Sequence, residues 1–277
     1  MQARSFDAPS AEDFEAAATT LAGVLALRDD PPHLVRYVAS DPSAQWRAVR
    51  TILDLPVVDV DVSDSPQGAY LRTLVGRRFL GLPRPRYAVA TLELPATLDD
   101  YLRGKRRQAV RTNVSKARAA RVRCVALEDP VEQRRRVADI LDNRDGDTAR
   151  VADVAGERLH AGIDEFFAAV AEDGTTLVVA ALTIDRTWAH VSWFVRNERD
   201  RRSAAARYLL YVDVFERLIA RGVGHVFVMS AVTIPHGLRY FQRRLGFEPV
   251  NLRLAHRGLL LHLPLGRRSA ERAARAA

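Results

Sequence analysis

The sequence predicts a mixed α/β fold, in which a sheet of parallel and antiparallel strands is flanked by helices. In the C-terminal half, two alternating apolar segments, residues 175–184 and 187–195, are separated by a short turn and predict a hairpin. An amphipathic segment, residues 204–221, follows and stops at Gly222, as a helix would. The apolar segment 225–229 comes next, and the helix before it lets this strand run parallel to the second strand of the hairpin.

The remaining segments extend this pattern in both directions. Helices are predicted at residues 11–27, 43–53, 97–121, 130–141, 164–172 and 237–245. Strands are predicted at residues 57–62, 87–94, 122–127 and 249–254, with 258–263 closing a final hairpin. We divide the chain into an N-terminal domain of residues 1–145, which includes the helix 97–121, a C-terminal domain of residues 146–265 and a basic tail of residues 266–277.

The chain has 277 residues, enough for two domains with substantial cores. Hydrophobic residues make up 48% and charged residues 27%, the proportions of a soluble globular protein. No window is long and apolar enough for a membrane span, and the acidic start is unlike a secretory signal, so we expect a cytoplasmic protein. The formal net charge of +8 suits a polyanionic partner, although an arginine-rich proteome would produce the same excess.

The single cysteine excludes an internal disulfide and offers no zinc site. Cys124 lies in a strand-like segment, where we interpret it as a small buried hydrophobe. No metal site is expected.

The segment 97–121 is the most basic of the predicted helices. Thr97 suits an N-cap, and two acidic residues follow it in the first turn. A spacing of four puts Arg103, Arg107 and Arg111 on one helix face, where like charges repel. This face is interpreted either as a solvated flank with acidic neighbours from elsewhere or as a surface that tracks phosphates. The candidate phosphate-binding residues are Arg103, Lys105, Arg106, Arg107, Arg111, Lys116 and Arg118.

The segment from Arg239 to Glu248, with the letters RYFQRRLGFE, is similar to a late motif of the GNAT superfamily of N-acyltransferases. In that motif a short helix ends in Leu-Gly-Phe before a strand. The hairpin, long helix and apolar strand upstream come in the order typical of that superfamily. The resemblance covers about 100 residues. It implies a GNAT-like mixed sheet and an acyl-transfer activity.

The donor loop of that superfamily has no counterpart in this sequence. Acetyl-CoA enzymes of the superfamily have a glycine-rich loop whose backbone N–H groups hold the pyrophosphate. The corresponding segment, residues 201–208, reads RRSAAARY and contains no glycine. The position of a tyrosine general acid is held by Gln242, which can form hydrogen bonds but cannot donate a proton as an acid.

The segment TLELPATLDDYLRGKRR, residues 91–107, with the basic stretch behind it, resembles the Fem family of aminoacyltransferases. Proteins of that family are tandem GNAT-like domains that transfer an amino acid from aminoacyl-tRNA to a peptide amine. The resemblance implies two tandem domains, the N-terminal one degenerate, and aminoacyl-tRNA as the acyl donor in place of a bound cofactor. The family's Phe-Lys-x-x-Phe-Gly stretch would fall on residues 241–246, where Gln242 replaces the lysine.

Aminoacyl transfer from an ester to an amine needs alignment and oxyanion stabilisation rather than a nucleophile of the enzyme. Candidate catalytic residues are Gln242, Arg243, Ser230 and His236. Ser230 equally suits a strand end that satisfies backbone groups, and His236 is preferred as a base over His190 and His225. Candidate substrate-binding residues are Trp193, Arg207, Tyr208, Tyr211 and Arg239; the three aromatic ones equally suit the core.

Three functions follow from these observations. The first is a tRNA-dependent aminoacyltransferase acting on the amine of a peptide or small molecule. The second is an acetyl-CoA-dependent N-acetyltransferase, with the phosphates on Arg201, Arg202 and Arg207. The third is a non-catalytic RNA-binding module.

Overall fold

The computed structural model describes residues 9–79, 82–84, 86–144, 148–228 and 230–255. The acidic turn at residues 145–147, the predicted strand 258–263 and the basic tail 266–277 lie outside the described residues.

Helices and strands are interspersed along the chain. The helices are α1 (Ala11–Ala26), α2 (Pro31–Ser40), α3 (Pro42–Leu53), α4 (Pro66–Val75), α5 (Leu98–Leu102), α6 (Gln108–Ala119), α7 (Pro130–Asp142), α8 (Thr148–Ala161), α9 (Ser203–Ala220) and α10 (His236–Leu245). The strands are β1 (Val57–Val60), β2 (Arg77–Phe79), β3 (Leu82–Arg84), β4 (Arg86–Glu93), β5 (Arg123–Leu127), β6 (Glu165–Val170), β7 (Thr176–Asp185), β8 (Trp188–Arg196), β9 (His225–Val228) and β10 (Glu248–Leu254).

Eight strands form one mixed sheet in the order β1-β10-β4-β9-β8-β7-β6-β5. The hairpin β7–β8 turns at Arg186, and α9 crosses from β8 to β9, which pairs parallel with it. The mixed α/β sheet flanked by helices and its GNAT-like order of hairpin, long helix and parallel strand, both predicted from sequence, are confirmed. The parallel pairing spans three residue pairs, from Trp188–His225 to His190–Phe227, beyond which the two strands are not paired.

Strands from the N-terminal half complete this sheet. β4 lies between β9 and β10 and is antiparallel to both, and β1 adds the parallel edge strand beside β10. The predicted domains, residues 1–145 and 146–265, thus contribute to the same sheet. Their division into two domains stays a prediction.

The predicted helix at residues 164–172 is wrong, because this segment is β6, paired with β5 and β7. Its sequence, EFFAAV, has no alternation of apolar and polar residues, and all but the first residue are buried. A short apolar run buried on both sides of a sheet cannot be distinguished by periodicity from a buried helix. The helix α8 had no counterpart among the predicted elements.

The predicted single helix 97–121 is also wrong, because it breaks at Gly104, which has φ +86°. Thr97 caps α5 as predicted, accepting a hydrogen bond from the Asp100 backbone N–H. Residues Lys105–Arg107 form a 3-10 turn, and α6 begins after it. Arg103, Arg107 and Arg111 therefore do not share a helix face. The guanidinium of Arg111 instead donates to the carbonyls of Leu102 and Gly104, on either side of the start of the break.

The two faces of the sheet are both covered. On one face, α9 packs with α1, α6 and α10 over a core that includes Leu210, Phe215 and Phe241. On the other face, α7 and α8 cover β6–β8, and α4 covers the half near β1 and β10. The apolar faces of both halves of the chain are thus buried against one sheet.

Cys124 lies half-buried in β5 against the core, and burial raises the pKa of its thiol to about 12. The thiol is therefore neutral at physiological pH and packs as the predicted small hydrophobe. In the part of the chain that the structure describes, no helix is both long and apolar enough to cross a bilayer. The same residues contain no group of three or more metal-ligating side chains.

His190 is a buried histidine without a polar partner. It is 3% exposed, its ring lies 4.8 Å from that of Phe227, and neither ring nitrogen has a hydrogen-bond partner among the described residues. Burial, with smaller contributions from Arg158 and Arg86, lowers its pKa to about 3. The imidazole is therefore neutral in the folded protein throughout the physiological range, which makes it a poor proton acceptor.

We expect this buried imidazole to destabilise the protein as the pH falls. The unfolded chain binds the proton below a pKa of about 6.5, whereas the folded protein does not until about pH 3. Stability is therefore lost as the pH falls below about 6.5. Relative to His190→Phe, the wild type should lose about 1 kcal/mol of unfolding free energy between pH 7.5 and 5.5. Urea denaturation of both proteins at the two pH values measures this loss. The prediction is contradicted if the stability difference between wild type and His190→Phe is the same at both pH values.

Candidate functional site

A cavity of about 600 Å³ lies between α1, α10, the strands β4 and β10, and the 3-10 turn Lys105–Arg107, which we call the basic turn. Five of the predicted site residues line it. These are Arg106, Arg107, Arg239, Gln242 and Arg243. Arg244, Glu15 and Glu248 line it as well, beside an apolar wall of Phe14, Leu55, Ala90 and Phe247.

The helix α10 supplies the central wall of the cavity. Arg239, Gln242 and Arg243 are three and four residues apart, so they share one helical face. Phe241 and Leu245 point instead into the core and anchor the helix. Gln242, which is 7% exposed, therefore presents an uncharged amide in a cavity otherwise rich in arginine.

The basic turn is fastened to the C-terminal end of α10. The Tyr101 hydroxyl donates to the Leu245 carbonyl at 2.9 Å, and the Arg107 guanidinium lies 4.8 Å from the centre of the Tyr101 ring. Gly246 ends α10 in the left-handed conformation with φ +90°. A Cβ at Gly246 would clash with the guanidinium of Arg107, so only glycine permits both the turn and this approach.

Glu15 reaches the cavity from α1, a helix whose local sequence pattern does not predict a place in the site. Its Oε2 accepts from Arg239 Nε at 3.2 Å, and its Oε1 lies 3.9 Å from Arg243 Nη1. Arg239 also donates to the carbonyls of Val232 and Ile234, which fixes its position. Glu15 is thus held over the α10 face that carries Gln242.

The cavity is positively charged, since five arginines and two glutamates line it. Among the described residues, no carboxylate forms a salt bridge with Arg106, Arg107 or Arg244. Arg244 contacts the Tyr240 hydroxyl. The cavity can therefore bind a polyanion without first breaking ion pairs to these three guanidinium groups.

The predicted aromatic substrate residues lie in the core. Trp193 packs beneath α7 and α8, on the opposite face of the sheet from α10. Tyr208 and Tyr211 contact the Phe241 ring, with centroids 4.9 Å and 5.7 Å away. Arg207 lies 4.0 Å from the centre of the same ring, half-buried, and burial lowers its pKa. None of these four residues lines the cavity.

Two predicted catalytic residues also lie apart from the cavity lining. Ser230 has φ +56°, and its hydroxyl oxygen accepts from the Thr233 backbone N–H at 3.0 Å. This is the backbone-satisfying role that the sequence left open for it. His236 begins α10 and is exposed to solvent.

The other predicted basic residues are on the outer surface. Arg103 forms an ion pair with Asp100 at 3.0 Å, and Lys105 is exposed in the turn. Lys116 and Arg118 are exposed near the end of α6. The structure therefore brings only Arg106 and Arg107 of the seven to the cavity.

The loop before α9, where the superfamily holds its donor pyrophosphate, is occupied by the chain's own carboxylates. Asp200 accepts from the Arg202 backbone N–H at 2.8 Å, and the Arg202 guanidinium binds Asp200 and Asp173. Hydrogen bonds from Thr175, then Arg202, lower the pKa of Asp173 to about 2, and Arg202 lowers that of Asp200. Both carboxylates are ionised at neutral pH.

Comparison with known proteins gives distant structural likenesses. No family model matches the sequence, and no curated protein matches it significantly. The C-terminal domain of a protein described as a lysylphosphatidylglycerol synthetase from Agrobacterium fabrum is similar, with 14% identity over 61% of this chain and 59% of that one and a TM-score of 0.41. L-PGS from Bacillus licheniformis has 13% identity over 69% and 65% of the two chains and a TM-score of 0.43. A tandem GNAT protein from the clavulanic acid biosynthesis pathway has 16% identity over 75% and 65%, with a TM-score of 0.38.

The chain spans less than two thirds of the length of each of these solved structures. With TM-scores below 0.5, these likenesses assign neither a donor nor an acceptor to this chain.

Proposed function

We propose that this protein is an N-acyltransferase that moves an aminoacyl group from aminoacyl-tRNA to the amine of a peptide or small molecule. The observation that carries the proposal is the cavity that joins the basic turn to the face of α10 with Gln242. Arg106 and Arg107 of the predicted phosphate-binding residues and Gln242 and Arg243 of the predicted catalytic residues, more than 130 positions apart in sequence, line it together.

The charge of the cavity suits the 3′ end of a tRNA. Guanidinium groups bind phosphodiesters through paired, charge-assisted hydrogen bonds. Arg106, Arg107 and Arg244 are not neutralised by described carboxylates and would hold the terminal phosphates. The apolar wall beside them offers a surface for the terminal base or the amino acid side chain.

The reaction itself needs little from the chain. The acceptor amine attacks the ester carbonyl, the new C–N bond forms, and the C–O bond to the terminal ribose breaks. The ribose oxygen leaves as a hydroxyl, with the proton that the amine loses. The amide N–H of Gln242 would donate to the carbonyl oxygen, and the positive charge of Arg243 would stabilise the oxyanion that develops there.

A coenzyme A donor suits the structure less well. A phosphate at a helix N-terminus needs free backbone N–H groups, but Asp200 already accepts from the one at Arg202. Two ionised carboxylates, Asp173 and Asp200, would repel a pyrophosphate there.

The test is to offer purified protein a pool of charged tRNA, labelled in the amino acid, with a panel of amines. We expect a labelled amide product that disappears when the tRNA is first digested with ribonuclease. A parallel reaction supplies labelled acetyl-CoA in place of tRNA. If product forms from acetyl-CoA and resists ribonuclease, the donor is acetyl-CoA and not aminoacyl-tRNA. Binding of tRNA without product from any amine would support the RNA-binding module instead.

A further inference from the structure

The carboxylate of Glu15 lies among the arginines that line the cavity. Among the described residues it is the carboxylate that forms salt bridges with cavity arginines. Its Oε2 is held by Arg239, a side chain only 7% exposed and itself fixed by two backbone carbonyls. Its Oε1 lies 3.9 Å from Arg243, beyond hydrogen-bond distance, so this oxygen can accept from a ligand.

The position of Glu15 relative to Gln242 follows from the helix. Arg239 lies one turn before both Gln242 and Arg243 on α10, so its side chain neighbours both. Glu15 binds Arg239 and lines the same cavity as Gln242, so one ligand in that cavity can reach both side chains. A carbonyl bound to Gln242 would place the substituent on its α-carbon in the cavity that Glu15 lines.

We propose that Glu15 binds the α-ammonium group of the aminoacyl donor and makes the site selective for acyl groups with a free α-amine. The proposal rests on the proposed function. An α-amino group has a pKa of about 7.7–8.0 and is charged at neutral pH. In a cavity lined mainly by arginines, the ammonium would be repelled at most positions, and Glu15 provides a matching negative charge. A donor whose amine is acetylated carries no such charge.

The test compares two donors, aminoacyl-tRNA and the same tRNA after acetylation of the α-amine. Wild-type protein should use the free-amine donor about tenfold better in kcat/KM, as a charged hydrogen bond implies. Glu15→Gln keeps an acceptor for Arg239 but removes the charge. It should lose the roughly tenfold preference in kcat/KM for the free-amine donor over the acetylated one. Glu12→Gln removes an exposed carboxylate from the same helix and is the matched control, which should keep the preference.

A purely structural role for Glu15 would lower kcat/KM for both donors equally, and that result would overturn the proposal. Equal use of the two donors by wild-type protein would also overturn it while leaving aminoacyl transfer intact. If Glu15→Gln folds poorly, binding of the two tRNAs to wild-type protein decides the question, with the ester replaced by an unreactive amide. In that measurement the free-amine form should bind about tenfold more tightly. Failure of the proposed function is distinct, because no ribonuclease-sensitive product would then form from either donor.

Discussion

Replacing Arg106 and Arg107 together with alanine is expected to weaken tRNA binding by at least about a hundredfold at low salt. Each guanidinium would lose a charge-assisted contact worth about 1.5–3 kcal/mol. Because each contact with a phosphate releases counterions, the slope of log affinity against log salt should fall by about one for each arginine. Filter binding or fluorescence anisotropy over a salt series measures both quantities.

The matched control for this pair is Lys116→Ala with Arg118→Ala, which removes the same charge from the exposed side of α6. If the cavity holds the tRNA end, this control should change affinity far less. Equal losses in the two double variants would mean that tRNA follows the whole basic segment and not the cavity. Thermal unfolding monitors folding, since Arg107 also packs on the Tyr101 ring.

Local signals in the sequence were sufficient for the part of the fold from β7 to β10. The hairpin β7–β8 has clear apolar segments on both sides of its turn, and Gly222, with φ +74°, ends the helical pattern of α9. Where local signals were ambiguous, prediction failed. β6 is apolar without alternation, and the helical pattern across residues 97–121 hid the break at Gly104.

The candidate site was predicted only in part, because it depends on contacts between distant segments. The motif at residues 239–248 predicted Gln242, Arg243 and Arg239 as site residues. Glu15, however, is 224 residues from Arg239 in sequence, and no local pattern could pair them. The insertion of β4 between β9 and β10, which forms part of the cavity wall, is likewise a property of the whole fold.

The aromatic residues show why composition alone could not decide between groove and core. Tyr208 and Tyr211 lie on α9 with the spacing of an inward face, and a core and a binding groove both require such a face. The structure stacks the Tyr211 ring on Phe194, 4.6 Å between centroids, and fills the space that a ligand would need. Which of the two a helix face becomes depends on what packs opposite it.

Asn251 connects β10 to β4 and to the end of α3, and these segments contribute to the cavity wall. It is 1% exposed in β10, where the register with β4 shifts between Val250 and Leu252. Its Oδ1 accepts from the Ala88 backbone N–H at 2.9 Å, and its Nδ2 donates to the Ile52 carbonyl at 3.0 Å. Ala88 has φ +50°, so this hydrogen bond holds a backbone conformation that alanine rarely adopts.

Asn251→Ala is therefore expected to destabilise the protein by about 2–4 kcal/mol. The buried Ala88 N–H loses its partner at a cost of about 1–3 kcal/mol, and the lost hydrogen bond to the Ile52 carbonyl, which keeps its contact with the Leu55 N–H, adds about 1 kcal/mol. Urea denaturation measures the loss. Asn113→Ala is the matched control: the Asn113 side chain donates to the Ala109 carbonyl within α6 and is half-buried, so its removal should cost less than about 1 kcal/mol. Because Leu55 and Ala90 belong to the same framework and line the cavity, Asn251→Ala should also loosen the site. Equal stability losses in the two variants would mean that the shift in register is held by the strands alone.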